Sequence, residues 1–193
     1  MPVDQNQVVL TPGRVGDDTS TPTKGTRMAD NSIDVYLNDH LAGAMLGSDL
    51  AKQIQARNRG TALGQLMQSL AAEIEQDRQT LIELMQRLDS SKNPIKQAIA
   101  WIAEKTSRAK FSGMTSGDPE LGTFMALETL ALGVRGKACM WKTLKQLVDQ
   151  HPPLASVNLD ELIDRARAQE DALERERLAA GARALADEVP VTA

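Results

Sequence analysis

Residues 62–88 read ALGQLMQSLAAEIEQDRQTLIELMQRL, and the spacing of their apolar residues decides the fold. Leu63, Leu66, Leu70, Ile74, Leu81, Leu84 and Leu88 recur at intervals of three and four, which gathers them on one face of a long helix. A stretch of similar length precedes it. Asp30, Asn31 or Ser32 can cap that first helix, predicted from Ile33 to about Asn58, and Gly60 follows as a natural C-terminal glycine. So short a link between two long helices forces an antiparallel hairpin.

The second half repeats the plan. Asp118 caps a third helix with Pro119 at its first position, and Leu121, Phe124, Leu127, Leu132, Val134, Trp141, Leu144 and Val148 carry it to His151, where Pro152 and Pro153 stop it. Asn158 opens the fourth helix, with a stripe of Leu159, Leu162, Ile163, Ala166, Leu173, Leu178 and Leu185 and a charged outer face that includes Arg165. Between the hairpins, Asn93 caps a shorter helix from Pro94 to about Phe111 through Ile95, Ile99 and Ile102. Its place predicts a crossover that carries the chain from one end of the bundle to the other. The class is all-α: a four-helix bundle over residues 32–188, preceded by a disordered tail at 1–31 and followed by a frayed end at 189–193.

Composition agrees and narrows the function classes. Charged residues are 25% of the 193 and aromatics 3%, so Leu, Ala and Met fill the apolar positions, as helix packing favours. The net charge of -4, with no cluster of Lys or Arg, argues against a nucleic-acid partner. A lone cysteine, Cys139, excludes an intramolecular disulfide and fits a reducing compartment. No apolar run approaches a membrane span and no secretory signal opens the chain, so the expected location is the cytoplasm, away from membranes. In the tail, Val8 to Leu10 form the one apolar cluster, and the segment reads either as a flexible tail or as a docking peptide for a protein partner built on that cluster.

Candidate chemistry rests on polar residues placed on apolar faces. Asp77 falls in the stripe of Leu70, Ile74, Leu81 and Leu84, and a carboxylate facing the interior needs donors or a cation. Glu128 takes a comparable position on the third helix, Glu73 lies one turn before Asp77, His40 sits beside Tyr36, Gly43 and Gly47, and Gln169 or Glu170 is the matching position on the fourth helix. One reading pairs these acids with Arg78, Arg135 or His40 in a buried network that fixes helix register. Another makes His40, Glu73, Asp77, Glu128 and Glu170 ligands of iron or manganese. A third is a small hydrophobic ligand in a cavity, for which no residue argues specifically. Gly43 and Gly47, one turn apart, predict a close approach of a neighbouring backbone there.

Two hairpins joined by a helical crossover, together with the segment Leu37-Asn38-Asp39-His40-Leu41-Ala42-Gly43, resemble the ferritin-like superfamily and segments of its uncharacterised bacterial members. Its di-iron members carry a Glu on each of two helices and, on the other two, a Glu followed three residues later by His. Here Gln76 follows Glu73, Arg78 follows Glu75, Leu173 follows Glu170 and Arg177 follows Glu174. Glu128 alone matches a ligand carboxylate. The resemblance therefore implies the fold without the usual di-iron centre. No phosphate loop, dinucleotide fingerprint or activated nucleophile is present, and His151, beside Pro152, fits a helix C-terminus better than a base. The expected function is non-catalytic and without a cofactor: a structural or protein-interaction role, as a homo-oligomer meeting a second copy through the Gly43 and Gly47 strip or the crossover. The alternative is a metal-binding bundle with a redox or metal-stress role.

Overall fold

The computed structural model describes residues 24–88 and 117–186, with side chains from Ser32 onward. Every regular element among them is helical. They are α1 (Lys24–Arg57), α2 (Ala62–Arg87), α3 (Pro119–Lys145) and α4 (Leu159–Ala184), with a 3₁₀ turn at Pro152–Ser156. None is long and apolar enough to cross a membrane. The helix expected at 94–111, the Val8 to Leu10 cluster and the end at 189–193 lie outside the described residues.

Local chemistry sets the ends. Thr61 caps α2 by accepting from the Gly64 N–H at 3.1 Å, Asp118 caps α3 by accepting from Glu120 N at 2.8 Å and Leu121 N at 3.3 Å, and Asn158 caps α4 through Glu161 N at 3.2 Å. Gly60 turns the α1–α2 link with a φ of 80°, a conformation that a side chain disfavours.

Two boundaries differ from expectation. The first helix begins at Lys24 rather than Ile33, so Asp30, Asn31 and Ser32 lie inside it. Beyond Pro22 no proline interrupts, and Arg27, Met28 and Ala29 are favourable helix formers. The third helix ends at Lys145 rather than His151. There the backbone tightens, with Gln146 N donating to Thr143 O at 3.1 Å and Leu147 N to Leu144 O at 3.0 Å. His151 then precedes the 3₁₀ turn, whose Leu154 is fully buried.

α1 packs on α2, α3 on α4, and α1 on α3, whereas α2 and α4 meet more thinly. The core falls into two clusters. One joins Leu37 and Leu41 of α1, Leu81 to Met85 of α2, Met140 to Leu144 of α3 and Leu159 to Ile163 of α4. The other joins Leu50 to Ile54, Leu63 to Ile74, Ala126 to Val134, and Leu173 with Ala180. The start of α1 and α4 thus share an end of the bundle with the finish of α2 and α3. α1 and α4 run one way, α2 and α3 the other, so Leu88 and Gly117 lie at opposite ends.

Candidate functional site: a buried ion network and the groove above it

Between the two apolar clusters lies a polar layer built by α2, α3 and α4. Asp77 is only 2% exposed, and its carboxylate accepts from the Lys137 ammonium on one oxygen and from Arg165 Nη2 at 2.5 Å on the other. Lys137 also donates to Gln169 Oε1 at 2.5 Å, and Gln169 Nε2 donates to Glu73 Oε2 at 2.6 Å. Two acids and two bases therefore close a charge-neutral chain, with a buried amide relaying between Lys137 and Glu73. Such charges survive burial only when paired and hydrogen-bonded. Burial holds the Lys137 ammonium below the ordinary lysine value, a trend that Asp77 opposes and Arg165 adds to. One donor of the layer, Arg165 Nε, is buried without an acceptor among the described residues.

The interior placement of Asp77 and the polar match at Gln169 follow the sequence reading; the partners differ. Arg78 is committed to Glu75 on its own helix, which pulls that carboxyl down and the guanidinium up. Arg135 is exposed and pairs with Glu170 at 3.5 Å. Glu128, expected inside, is exposed and faces Arg177 at 3.5 Å. The reason is the face chosen: the buried side of α3 carries Leu127, Leu130, Val134, Ala138 and Trp141, while Leu132, read as core, is 67% exposed. His40 is half-buried on α1 and stacks edge-on against Tyr36 with ring centroids 4.6 Å apart. Burial lowers its pKa from the usual value, and the Asp39 charge works against that shift.

Of the five predicted ligands, Asp77 and Glu73 share the Lys137–Gln169 network, whereas His40, Glu128 and Glu170 have other partners in Tyr36, Arg177 and Arg135. Among the described residues, no three His, Cys, Asp or Glu side chains come together as a metal would need.

Beside the polar layer, α1 and α3 leave between them a groove of about 740 Å³. Gly43 and Gly47 line one wall, Gly133 and Gly136 the other. A Cβ added at Gly43, Gly133 or Gly136 would meet nothing within 4 Å, and at Gly47 only Leu130 Cδ1 at 3.9 Å. The close backbone approach expected at Gly43 and Gly47 is therefore replaced by open space. The glycines that do permit contact are Gly64, whose Cβ would sit 2.1 Å from Asn58 O, and Gly181, 2.9 Å from the Phe124 ring.

The groove is mostly apolar, with Leu50, Leu130 and Val134 on its walls and Ile74, Asp77 and Leu81 on its floor. Lys137 and Trp141 also line it. Trp141 is fully buried, and its Nε1–H has no acceptor among the described residues. Sequence reading missed Lys137, although it lies three residues after Val134 and four before Trp141, on the buried arc of α3. It missed the groove because glycines separated by some ninety positions give no sign of facing one another. No family model matches the chain, and searches of curated proteins and of solved structures found no match either.

Proposed function

We propose that this protein is a non-catalytic binding bundle that holds an elongated, largely apolar small molecule in the groove between α1 and α3. The observation that carries the reading is the groove itself, about 740 Å³ with glycines on both walls and open space beside them. That volume falls in the range of roughly 300–1,000 Å³ typical of small-molecule sites, which pair apolar walls with a few placed polar groups. Here those groups are the Asp77–Lys137 ion pair on the floor, which carries no net charge, and Trp141, whose indole N–H has no acceptor among the described residues. Because the floor charges already balance, the ligand this reading favours is uncharged and carries an oxygen acceptor such as a carbonyl. The bundle itself is read as ferritin-like. That inference is supported by helices running one way in α1 and α4 and the other way in α2 and α3, which leaves residues 89–116 to join opposite ends.

Prodan, a neutral elongated ketone whose emission shifts to the blue in apolar surroundings, tests the reading directly. Saturable binding with a blue shift is expected. Gly133→Leu combined with Gly136→Leu, which puts side chains into the open space, is expected to weaken it by about tenfold or more, close to 1.4 kcal/mol, with helicity by circular dichroism unchanged. Absence of saturable binding, or equal binding by the filled variant, would remove the groove as a ligand site.

A further inference from the structure

Lys137 is the one lysine among the described residues that lines the groove, and its side chain is only 12% exposed. Two of its three N–H directions are taken, by Asp77 and by Gln169 Oε1. The proton lost to Asp77 leaves the nitrogen lone pair facing that carboxyl, and rotation about the Cε–Nζ bond turns it to the direction that Asp77 and Gln169 leave. A carboxylate able to take that proton is already in contact, and a second cation, Arg165, holds the same carboxylate from the other side at 2.5 Å. An amine kept in an apolar site next to another cation is the environment that turns lysine into a nucleophile toward carbonyl carbon. Desolvation favours the free amine there. Trp141, one turn further along α3, also lines the groove, and its Nε1–H is buried without an acceptor among the described residues.

We propose that Lys137 captures an aldehyde or ketone ligand of the α1–α3 groove as an imine, with Asp77 as proton acceptor and then counter-ion. The inference rests on the groove being the ligand site. The ammonium passes a proton to the Asp77 carboxylate, and the free amine attacks the carbonyl carbon. A C–N bond forms as the carbonyl π pair moves onto oxygen, which takes the proton back from Asp77. The resulting carbinolamine loses its hydroxyl as water, using the second nitrogen proton after reprotonation through Asp77, and C=N remains. Ammonium and carbonyl on one side become protonated imine and water on the other, with no oxidant or reductant. The iminium keeps the unit charge that Asp77 paired before.

The test uses the full chain with dimethylaminocinnamaldehyde, an elongated apolar aldehyde, reduced by borohydride and mapped by peptide mass spectrometry, alongside binding of the corresponding alcohol. The expected result is trapping at Lys137 several-fold above exposed lysines such as Lys52 and Lys142, whose amines stand in water. Lys137→Arg, which keeps a cation for Asp77, should lose the adduct with helicity by circular dichroism unchanged. If the alcohol binds but the aldehyde labels surface lysines and leaves Lys137 unmodified, the imine is overturned and the groove stands. If neither compound binds, both readings fall.

Discussion

Asp77 is the residue on which the interior depends, because it is buried and shared by cations from two other helices. Asp77→Ala should therefore destabilise the fold by about 3–5 kcal/mol in urea titration, since Lys137 and Arg165 are left with no carboxylate between them. Lys137→Met should cost less, because Arg165 still neutralises Asp77. Glu128→Ala should leave the urea midpoint unchanged: its carboxylate is on the surface. The contrast explains what was legible residue by residue. An acid flanked by Leu70, Ile74, Leu81 and Leu84 is unambiguous, whereas α3 is apolar on so many sides that a stripe through Phe124 and Leu132 reads as well as the true one. Long basic side chains mislead in the opposite way, since the apolar stem of Lys137 lets it sit on an arc where only hydrophobic residues are sought. His40 offers a pH test. Its folded pKa is lowered by burial, so below the unfolded value of 6.5 the unfolded chain binds the proton more readily. Stability is intact above that value and falls as pH drops through it; His40→Gln should flatten the fall in melting temperature between about pH 7.5 and 5.5.

At the scale of the helices, the sequence is most legible where a cap couples a side chain to the backbone. Asp118 before Pro119, and Asn158 before Leu159, are local signals, and both helices start where they point. Helix length is less local: α1 extends back to Lys24 because nothing after Pro22 prevents it, and α3 stops at Lys145 where its last turns tighten ahead of two prolines. Glycines are the least legible, since their role depends on what stands opposite. This gives a prediction with two signs. Gly43→Ala, Gly133→Ala and Gly136→Ala, whose Cβ atoms meet nothing within 4 Å, should each stabilise the protein by about 0.5–1 kcal/mol through helix propensity. Gly64→Ala should destabilise it instead, because its Cβ would lie 2.1 Å from the Asn58 carbonyl oxygen and the α1–α2 link would have to move. Thermal melts of the four variants decide the matter. Destabilisation by all four would mean that the α1–α3 groove closes in solution, and stabilisation by all four that the α1–α2 link gives way at Gly64.

For the whole molecule, a polar layer that divides the core raises the question of whether its two ends fold separately. Each apolar cluster draws side chains from all four helices, so neither end can come apart without releasing segments that the other end holds. The polar layer ties three of them, α2, α3 and α4, together at the midpoint, through contacts such as Asp77 with Lys137 and Glu73 with Gln169, 60 and 96 positions apart in the chain. One cooperative transition follows, as is usual for a single domain of this size. Leu84→Ala in one cluster and Leu127→Ala in the other, both fully buried, should each cost about 2–5 kcal/mol and lower the urea midpoint without changing the slope. The double variant should sum the two losses to within about 0.5 kcal/mol, because the residues share neither cluster nor partner. A second transition in either single variant, or a slope that falls in only one of them, would show that the ends unfold independently and that the ion layer insulates them rather than couples them.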